Sequence, residues 1–283
     1  MPRPIVAAAI AFATAAACTL APAPAAEARA QGPARPLTVV SYNIHHAQGA
    51  DGVLDLERIA SVLEDTHADV IGLQEVDNHW GARSGFADQA DELARRLRMN
   101  VCFSANLDNP PVAGRTKRQQ YGTAILSVYK LRNCRNTPLP NHPGGEQRGL
   151  AQADISVRGA QVRFYNTHLT HNSQPGRVAQ AQVVNGIVQA SGKTAILVGD
   201  LNAGPEAAEY GTYTAYLRDV WPMVGRGPGY TFDSDNPKGR IDYVLTTPDV
   251  TARRAKVVPT IASDHMPVVA TLTVPKKAKH LRR

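Results

Sequence analysis

The sequence predicts a layered α/β fold with at least one mixed β-sheet. Apolar runs of strand length recur along the chain, amphipathic helical segments lie between some of them, and the strands outnumber the helices. The chain has 283 residues, of which 43% are hydrophobic, so it suits one large globular domain or at most two. The sequence contains no internal repeat.

Nine segments are predicted to be β-strands because each joins a short apolar or alternating run to a turn signal. In chain order these strands are 37–43, 68–76, 100–106, 121–128, 149–157, 162–169, 194–200, 241–247 and 266–274. The 3.6-residue spacing of apolar side chains predicts three helices, at 55–66, 88–99 and 176–190. Two stretches rich in Pro and Gly are predicted to be loops, at 109–114 and 140–147.

Polar side chains recur where the predicted strands end or begin. They are Asn43, Glu75, His168, Asp200, Asn202, Asp242, Asp264 and His265. One polar strand end carries no information, but several imply a shared site at one edge of the sheets, where rigid strands fix the distances between groups.

The residue types at these strand ends indicate a chemistry. Carboxylate and amide oxygens without a Cys cluster suit a hard divalent cation such as Mg²⁺ or Mn²⁺. Histidines beside carboxylates exchange protons near neutral pH. A metal, amide donors and imidazole together are suited to hydrolysis of a phosphate ester.

The order and spelling of these motifs resemble the endonuclease/exonuclease/phosphatase superfamily over residues 37–274. The motifs are SYNI (Asn43), QEV (Glu75), YGTAILS (Tyr121), NTHL (His168), GDLN (Asp200 and Asn202), RIDYVL (Asp242) and SDHMPV (Asp264 and His265). The resemblance implies a four-layer α/β sandwich, in which two mixed β-sheets lie face to face with helices outside. It also implies a metal site at one edge, for Mg²⁺ or alternatively Mn²⁺ or Ca²⁺.

The resemblance further implies which residues bind the metal and the phosphate. Glu75 would be the main metal ligand with Asn43 beside it, and Asp264 would serve the same region. Tyr121 would contact the phosphate, as would Arg148, which lies where relatives often carry a phosphate-binding arginine.

The remaining motif residues are implied to be catalytic. Asp200 would align or deprotonate the attacking water, and Asn202 would hold the water or the phosphate. His265, oriented by Asp242, would donate to the phosphoryl oxygens or shuttle a proton, and His168 would contact the phosphate.

Several of these residues have an ordinary structural interpretation when taken alone. Asn43 is then a strand cap, Tyr121 a core aromatic with a satisfied hydroxyl, and Arg148 a partner in a surface ion pair. No role is assigned to four histidines near the motifs, which are His45, His46, His79 and His171.

The motifs do not specify one substrate, because they fit more than one branch of the superfamily. The favoured hypothesis is a secreted metal-dependent phosphodiesterase acting on nucleic acid, supported by the basic stretch 115–120 and a basic tail. The alternatives are a phospholipid (sphingomyelinase-like) or inositol or sugar phosphate hydrolase, and a catalytically inactive binding module of the same fold. Thr123 departs from the family pattern, which often has Asn at that position. The His at position 168 resembles the pattern of pancreatic-type deoxyribonucleases and bacterial sphingomyelinases.

The ends of the chain differ in composition from its body. Residues 1–30 have the pattern of a secretory signal peptide, with a membrane anchor or lipidation at Cys18 as alternatives. We predict a catalytic domain over 31–275 and a basic tail over 276–283, in a secreted monomer without stable membrane insertion. Five basic residues of the tail account for most of the formal charge of +7, so charge is a weak argument for a polyanionic partner.

Removal of the signal leaves Cys102 and Cys134. An even pair in an exported protein predicts a disulfide, and two unrelated buried thiols are the alternative.

Overall fold

The two halves of the fold are six-stranded mixed β-sheets packed face to face, as the computed structural model shows for Met1 and residues 35–275. The predicted tail 276–283 and, apart from Met1, the predicted signal 1–30 lie outside the described residues. The strands of the first sheet, in spatial order, are β11 (Thr251–Val257), β12 (Val268–Val274), β1 (Arg35–Asn43), β2 (Val70–Asn78), β4 (Gln119–Ser127) and β3 (Asn100–Asn109). Those of the second sheet are β5 (Arg132–Pro138), β6 (Gly149–Val157), β7 (Ala160–His168), β8 (Ala195–Asp200), β10 (Asp242–Thr246) and β9 (Arg218–Asp219).

Each sheet contains one parallel pair of strands among antiparallel ones. In the first sheet β1 runs parallel to β2, and in the second sheet β7 runs parallel to β8. A parallel pair requires a crossover connection, and a helix supplies it in each case. The carboxyl ends of these four strands carry four of the predicted site residues, namely Asn43, Glu75, His168 and Asp200.

Four helices cover the outer faces of the sheets: α1 (Leu56–Asp65), α2 (Gln89–Leu97), α3 (Gln174–Ala190) and α4 (Ala208–Thr214). The short α5 (Trp221–Val224) packs against the apolar cluster between the sheets, and 3₁₀ turns lie at His45–Ala47 and Ala82–Ser84. One apolar cluster lies between the sheets, a second lies between the first sheet and α1 and α2, and a third lies between the second sheet and α3 and α4. The arrangement confirms the predicted four-layer sandwich. Of the helices in the described region, none has the length and apolar character needed to span a membrane.

The three longer helices begin where the sequence supplies a capping side chain. Asp55 accepts from the backbone N–H of Arg58 before α1, and Ser173 accepts from that of Gly176 before α3. Asp88 does the same before α2. Such caps satisfy backbone donors that the first helical turn leaves unpaired.

All nine predicted strands are present, but three others were missed. β5 and β11 are edge strands rich in Arg, with sequences RNCRNTP and TARRAKV, and β9 has only two residues. An edge strand with a solvated face needs little apolar patterning, so the strand signal in its sequence is weak. The short helices α4 and α5 were missed as well.

Cys102 and Cys134 form a disulfide with their Cα atoms 6.2 Å apart, within the span that a disulfide allows. Cys102 lies on β3 and Cys134 on β5, the edge strands of the two sheets. The bond therefore joins the first sheet to the second at one side of the sandwich.

Asp154 on β6 is the acceptor for three neighbouring cationic or amide groups. Arg163 donates two hydrogen bonds to its carboxylate, at 2.7 and 3.0 Å, and Asn133 and Lys193 each donate one at 2.9 Å. The hydrogen bonds from Arg163 are the largest influence holding the pKa of Asp154 well below its usual value.

We therefore expect Asp154→Asn to lower the free energy of unfolding by about 1–2 kcal/mol at pH 7. A depressed pKa stabilises the fold above the ordinary carboxyl pKa, so the difference from the parent protein should shrink as the pH falls below about 4. Urea unfolding over a pH series measures the difference. The control is Asp91→Asn, which removes an exposed i,i+4 ion pair with Arg95 and should change stability by less than about 0.5 kcal/mol; equal losses in the two variants would contradict the prediction.

Candidate active site

Asp200 is the centre of a polar cluster at the end of the sandwich where β1, β2, β7 and β8 terminate. Its Oδ2 accepts a hydrogen bond from Asn43 Nδ2 at 3.0 Å and lies 3.5 Å from His168 Nε2 and 3.6 Å from His265 Nε2. Its Oδ1 accepts from the backbone N–H of Asn202 at 2.9 Å. Residues from four separate strand ends and loops thus converge on one carboxylate that is 1% exposed.

Burial and the neighbouring charge change the acidity of Asp200. Burial, and then the negative charge of Asp242, raise the pKa of Asp200 to about 7, while His265 and the hydrogen bonds from Asn202 and Asn43 oppose the rise. A carboxylate with such a pKa can accept a proton near neutral pH, as a general base must.

His265 and Asp242 form a buried pair next to Asp200. His265 Nδ1 lies 2.8 Å from Asp242 Oδ2, and the ring of Phe232 packs 4.9 Å from the imidazole. Burial alone would lower the pKa of His265, but the charges of Asp242 and Asp200 outweigh it and raise that pKa to about 10. His265 is therefore a cation at neutral pH and can donate a proton from Nε2.

Asn202 reaches the site by a route that the sequence did not predict. An unbroken strand pleat would point Asp200 and Asn202 to the same side, yet β8 ends at Asp200 and Asn202 has a left-handed φ of 49°. This turn buries Leu201 in the core and brings Asn202 Nδ2 to 3.0 Å from His168 Nε2.

Glu75 lies on a β-bulge of β2. The pairing between β2 and β4 shifts between Leu73 and Val76, and Glu75 has a φ of 57°. A bulge turns one side chain out of the regular alternation. Here it places the half-buried Glu75 where its Oε1 accepts from Asn43 Nδ2 at 3.1 Å.

Asn166 of the opposite sheet holds the bulge in place. Its Nδ2 donates to the carbonyls of Leu73 and Ala124, at 2.8 and 2.9 Å, and its Oδ1 accepts from Gln74 Nε2 at 2.7 Å. The strand-end pattern does not single out Asn166, although an Asn inside an apolar strand is an uncommon signal. Asn166 satisfies backbone groups at the bulge and ties the two sheets together.

We expect Asn166→Leu to lower the free energy of unfolding by about 2–4 kcal/mol, because it removes the hydrogen bonds that Asn166 makes to two buried carbonyls and the shortest of those made by the buried Gln74 amide. Chemical denaturation measures the loss. The matched control is Asn185→Leu on α3, which removes a single hydrogen bond to the Thr212 carbonyl and should cost about 1 kcal/mol. A loss for Asn166→Leu no larger than that of the control would contradict this role.

Arg148, one of the two predicted phosphate-binding residues, lies beside His168. Arg148 is only 3% exposed, forms an ion pair with Glu146 at 2.8 Å, and donates from Nη1 to His168 Nδ1 at 2.9 Å. The structure thus excludes the interpretation of Arg148 as a surface residue. Burial, and then the Arg148 charge, lower the pKa of His168 well below its usual value, so the ring is neutral.

Tyr121 is buried on β4, and burial followed by the charge of Glu75 raises the pKa of its hydroxyl. Two neighbours of Tyr121 carry no signal in the sequence motifs. The Trp80 ring lies 5.7 Å from the Tyr121 ring, and the Arg83 guanidinium lies within 6 Å of both. Arg83 is held by two hydrogen bonds to the fully buried Asp77, at 2.6 and 2.9 Å.

The donor set around Glu75 fits a divalent metal. One ring nitrogen each of His45 and His46 and a carboxylate oxygen of Glu75 lie within 4.8 Å of one another. The Asp264 carboxylate accepts from Ser263 Oγ at 3.2 Å and lies 3.8 Å from His45 Nδ1. In a second such group, Asp200, Asp242 and His265, the His265 Nδ1 is taken up by a hydrogen bond with Asp242 Oδ2.

A family model described as the endonuclease/exonuclease/phosphatase family matches residues 40–265. The chain belongs to this family. Its members include phosphoester hydrolases, and the predicted family and fold are both confirmed. The roles of the individual site residues remain predictions.

Individual relatives are distant. The chain is 25% identical to a 5′-tyrosyl-DNA phosphodiesterase of Caenorhabditis elegans over 215 residues, which are 72% of this chain but only 54% of that protein. A solved endonuclease/exonuclease/phosphatase of Beutenbergia cavernae is 27% identical, with a TM-score of 0.72 over 85% of this chain and 72% of that one. A mannosyl-6-phosphatase of Bacteroides thetaiotaomicron, 20% identical, shares the fold with a TM-score of 0.67 over 83% of this chain and 99% of that one.

Proposed function

We propose that this protein is a divalent-metal-dependent phosphodiesterase that acts on nucleic acid outside the cell as a monomer. The observation that carries the proposal is the buried Asp200 carboxylate, whose Oδ2 lies 3.6 Å from Nε2 of His265, while Nδ1 of the same imidazole lies 2.8 Å from Asp242. A base and an acid that reach the same position suit attack of water on a phosphodiester.

The residues around this space divide the work of hydrolysis. Asp200 accepts the proton of the attacking water, and Asn43 and the Asn202 backbone N–H hold its carboxylate in position. His265, oriented by Asp242, donates from Nε2 to the phosphoryl oxygen or to the leaving group.

The phosphate contacts lie beside this pair. Arg148 and Tyr121 face the charge that develops on the phosphoryl oxygens. Asn202 and the neutral His168 hold the side of the phosphate nearest β7.

Glu75 and Asn43, with Asp264 in the same region, would hold the divalent metal. When bound, the metal would neutralise negative charge on the phosphate and favour ionisation of a nearby water. Asn43 contacts both Glu75 and Asp200, so one side chain links the metal ligand to the general base.

Nucleic acid is the substrate class that the surroundings of the site favour. The exposed residues Arg115, Lys117 and Arg118 follow β3, at the end of the first sheet where Tyr121 lies. Trp80 beside Tyr121 offers an aromatic face for a base. The distant relative that cleaves a tyrosyl-DNA phosphodiester supports the same class.

The experiment is to assay the protein beginning at residue 31 with Mg²⁺, Mn²⁺, Ca²⁺ and Zn²⁺ on four substrate classes: DNA, RNA, sphingomyelin and sugar phosphates. We expect metal-dependent cleavage of a nucleic acid, lost in Asp200→Asn. Cleavage of sphingomyelin or a sugar phosphate alone would overturn the nucleic-acid assignment. Absence of hydrolysis on all four would favour the inactive binding module.

Two further parts of the proposal have separate readouts. Expression of the full chain should deliver a shortened protein to the medium, and retention of the full-length protein in the cell would contradict export.

Deletion of 276–283 should leave folding intact and weaken nucleic-acid binding mainly at low salt, because Lys and Arg contacts release counterions. Equal affinity across a salt series would remove the tail from the binding surface.

A further inference from the structure

Two histidines to which the sequence assigned no role lie against Glu75. His45 and His46 begin the 3₁₀ turn that is separated from β1 by Ile44, and their rings pack edge to face with centroids 4.6 Å apart. A ring nitrogen from each lies within 4.8 Å of the other and of a Glu75 oxygen. The three groups thus form a compact set of two imidazoles and one carboxylate.

Gln48 fixes which nitrogen of each ring carries the proton. His45 Nδ1 lies 3.2 Å from the Gln48 backbone carbonyl, and His46 Nε2 lies 3.2 Å from the Gln48 side-chain oxygen. Both oxygens can only accept, so each ring donates its N–H to Gln48. The lone pair then remains on Nε2 of His45 and on Nδ1 of His46.

The lone pair of His46 is buried without a partner. His46 is 7% exposed, and its Nδ1 makes no hydrogen bond to any residue in the part of the chain that the structure describes. Leaving such an acceptor unpaired is costly unless a ligand fills the position.

The backbone conformation of the turn also holds the two imidazoles next to Glu75. His45, His46 and Ala47 have φ values of 44°, 44° and 68°, three successive left-handed residues without a glycine. Gln89 Nε2 donates to the His46 carbonyl at 2.7 Å and holds this turn against α2. The rest of the fold therefore keeps both imidazoles in a conformation that their own preferences disfavour.

Charge decides what kind of ligand fits. A carboxylate oxygen of Glu75 lies among the two ring nitrogens, while the nearby Arg83 is paired with Asp77. An anion would meet the Glu75 carboxylate here, whereas a cation would meet two lone pairs and a negative charge. Imidazole nitrogens favour Zn²⁺ and similar transition metals, whereas Mg²⁺ and Ca²⁺ prefer oxygen ligands alone.

We propose that His45, His46 and Glu75 form a binding site for a divalent transition metal such as Zn²⁺. Gln48 accepts the second ring N–H of both histidines, as an oxygen acceptor usually does for a metal-bound imidazole. The proposal deepens the proposed function, since it shares Glu75 with it, and it names the class of metal that this chain selects.

The test measures metal binding without substrate. Metal-stripped protein beginning at residue 31 is titrated with Co²⁺ as a spectroscopic probe for Zn²⁺, and visible absorption reports nitrogen ligation. We expect one Co²⁺ per chain, displaced by an equimolar amount of Zn²⁺ but not by a hundredfold excess of Mg²⁺. His45→Asn and His46→Asn should each weaken Co²⁺ binding at least about tenfold, because Asn tolerates the left-handed backbone but removes the imidazole.

His67→Asn is the matched control, since His67 is exposed after α1 and also has a left-handed φ of 50°. It should bind Co²⁺ as the parent protein does. Unchanged Co²⁺ affinity in both site variants, or equal competition by Mg²⁺ and Zn²⁺, would overturn the proposal. Because no hydrolysis is measured, a failure of the nuclease assignment leaves this result intact, and hydrolysis supported by Mg²⁺ without Co²⁺ binding would defeat only the transition-metal site.

Discussion

Asp200→Asn is expected to reduce the turnover of phosphodiester hydrolysis by a factor on the order of 10² or more, the scale of losing a positioned proton-transfer group. Asparagine has nearly the same shape as aspartate, but its amide cannot accept the proton of the attacking water. The side chain lies at the sheet edge among polar groups, so the midpoint of thermal unfolding should not fall. Steady-state kinetics of the purified variant, with its melting temperature alongside, measure both effects.

His265→Ala should cause a loss of similar size, and the double variant should lose far less than the product of the two single losses. The two side chains are 3.6 Å apart and act on one transition state, so their contributions cannot be independent. Asp65→Asn, an exposed residue at the end of α1, serves as the control and should leave turnover unchanged. Multiplicative losses for Asp200 and His265 would show that they do not share a reaction step.

Glu75→Gln is expected to raise the metal concentration needed for half-maximal activity at least about tenfold. The substitution keeps the side-chain length but removes the negative oxygen, which leaves a bound cation poorly neutralised. The hydrogen bond from Asn43 Nδ2 can still be accepted by the amide oxygen, so the position of Asp200 should not change. A metal titration of activity, with direct measurement of metal affinity, separates a binding defect from a catalytic one.

Glu57→Gln is the control for this prediction, because Glu57 is an exposed acid paired with Arg96 on the helical side of the first sheet. It should show the metal dependence of the parent protein. Activity that survives a chelator unchanged, or a Glu75→Gln variant with normal metal dependence, would contradict the assignment of Glu75 as a ligand.

The catalytic pair could be predicted from the sequence, whereas the two histidines of the proposed metal site could not. Asp200 and His265 were predicted from polar residues at strand ends, and the structure brings them together. His45 and His46 carried no such signal, because histidines in a loop are common and their sequence does not show a left-handed turn. Their approach to Glu75 depends on the pairing of β1 with β2 and on the bulge opposite β4.

The sequence by itself determined nine of the strand segments, the layered α/β class and the family, because apolar periodicity and motif spelling are local properties of the chain. Only the tertiary structure decided that Glu75 lies on a bulge, that Asn166 of the other sheet supports it, and that Arg148 is buried against His168. Edge strands, bulges and left-handed turns arise from long-range pairing, and buried polar groups must find partners far away in sequence. Those contacts, rather than local propensity, set the distances on which the chemistry of the site depends.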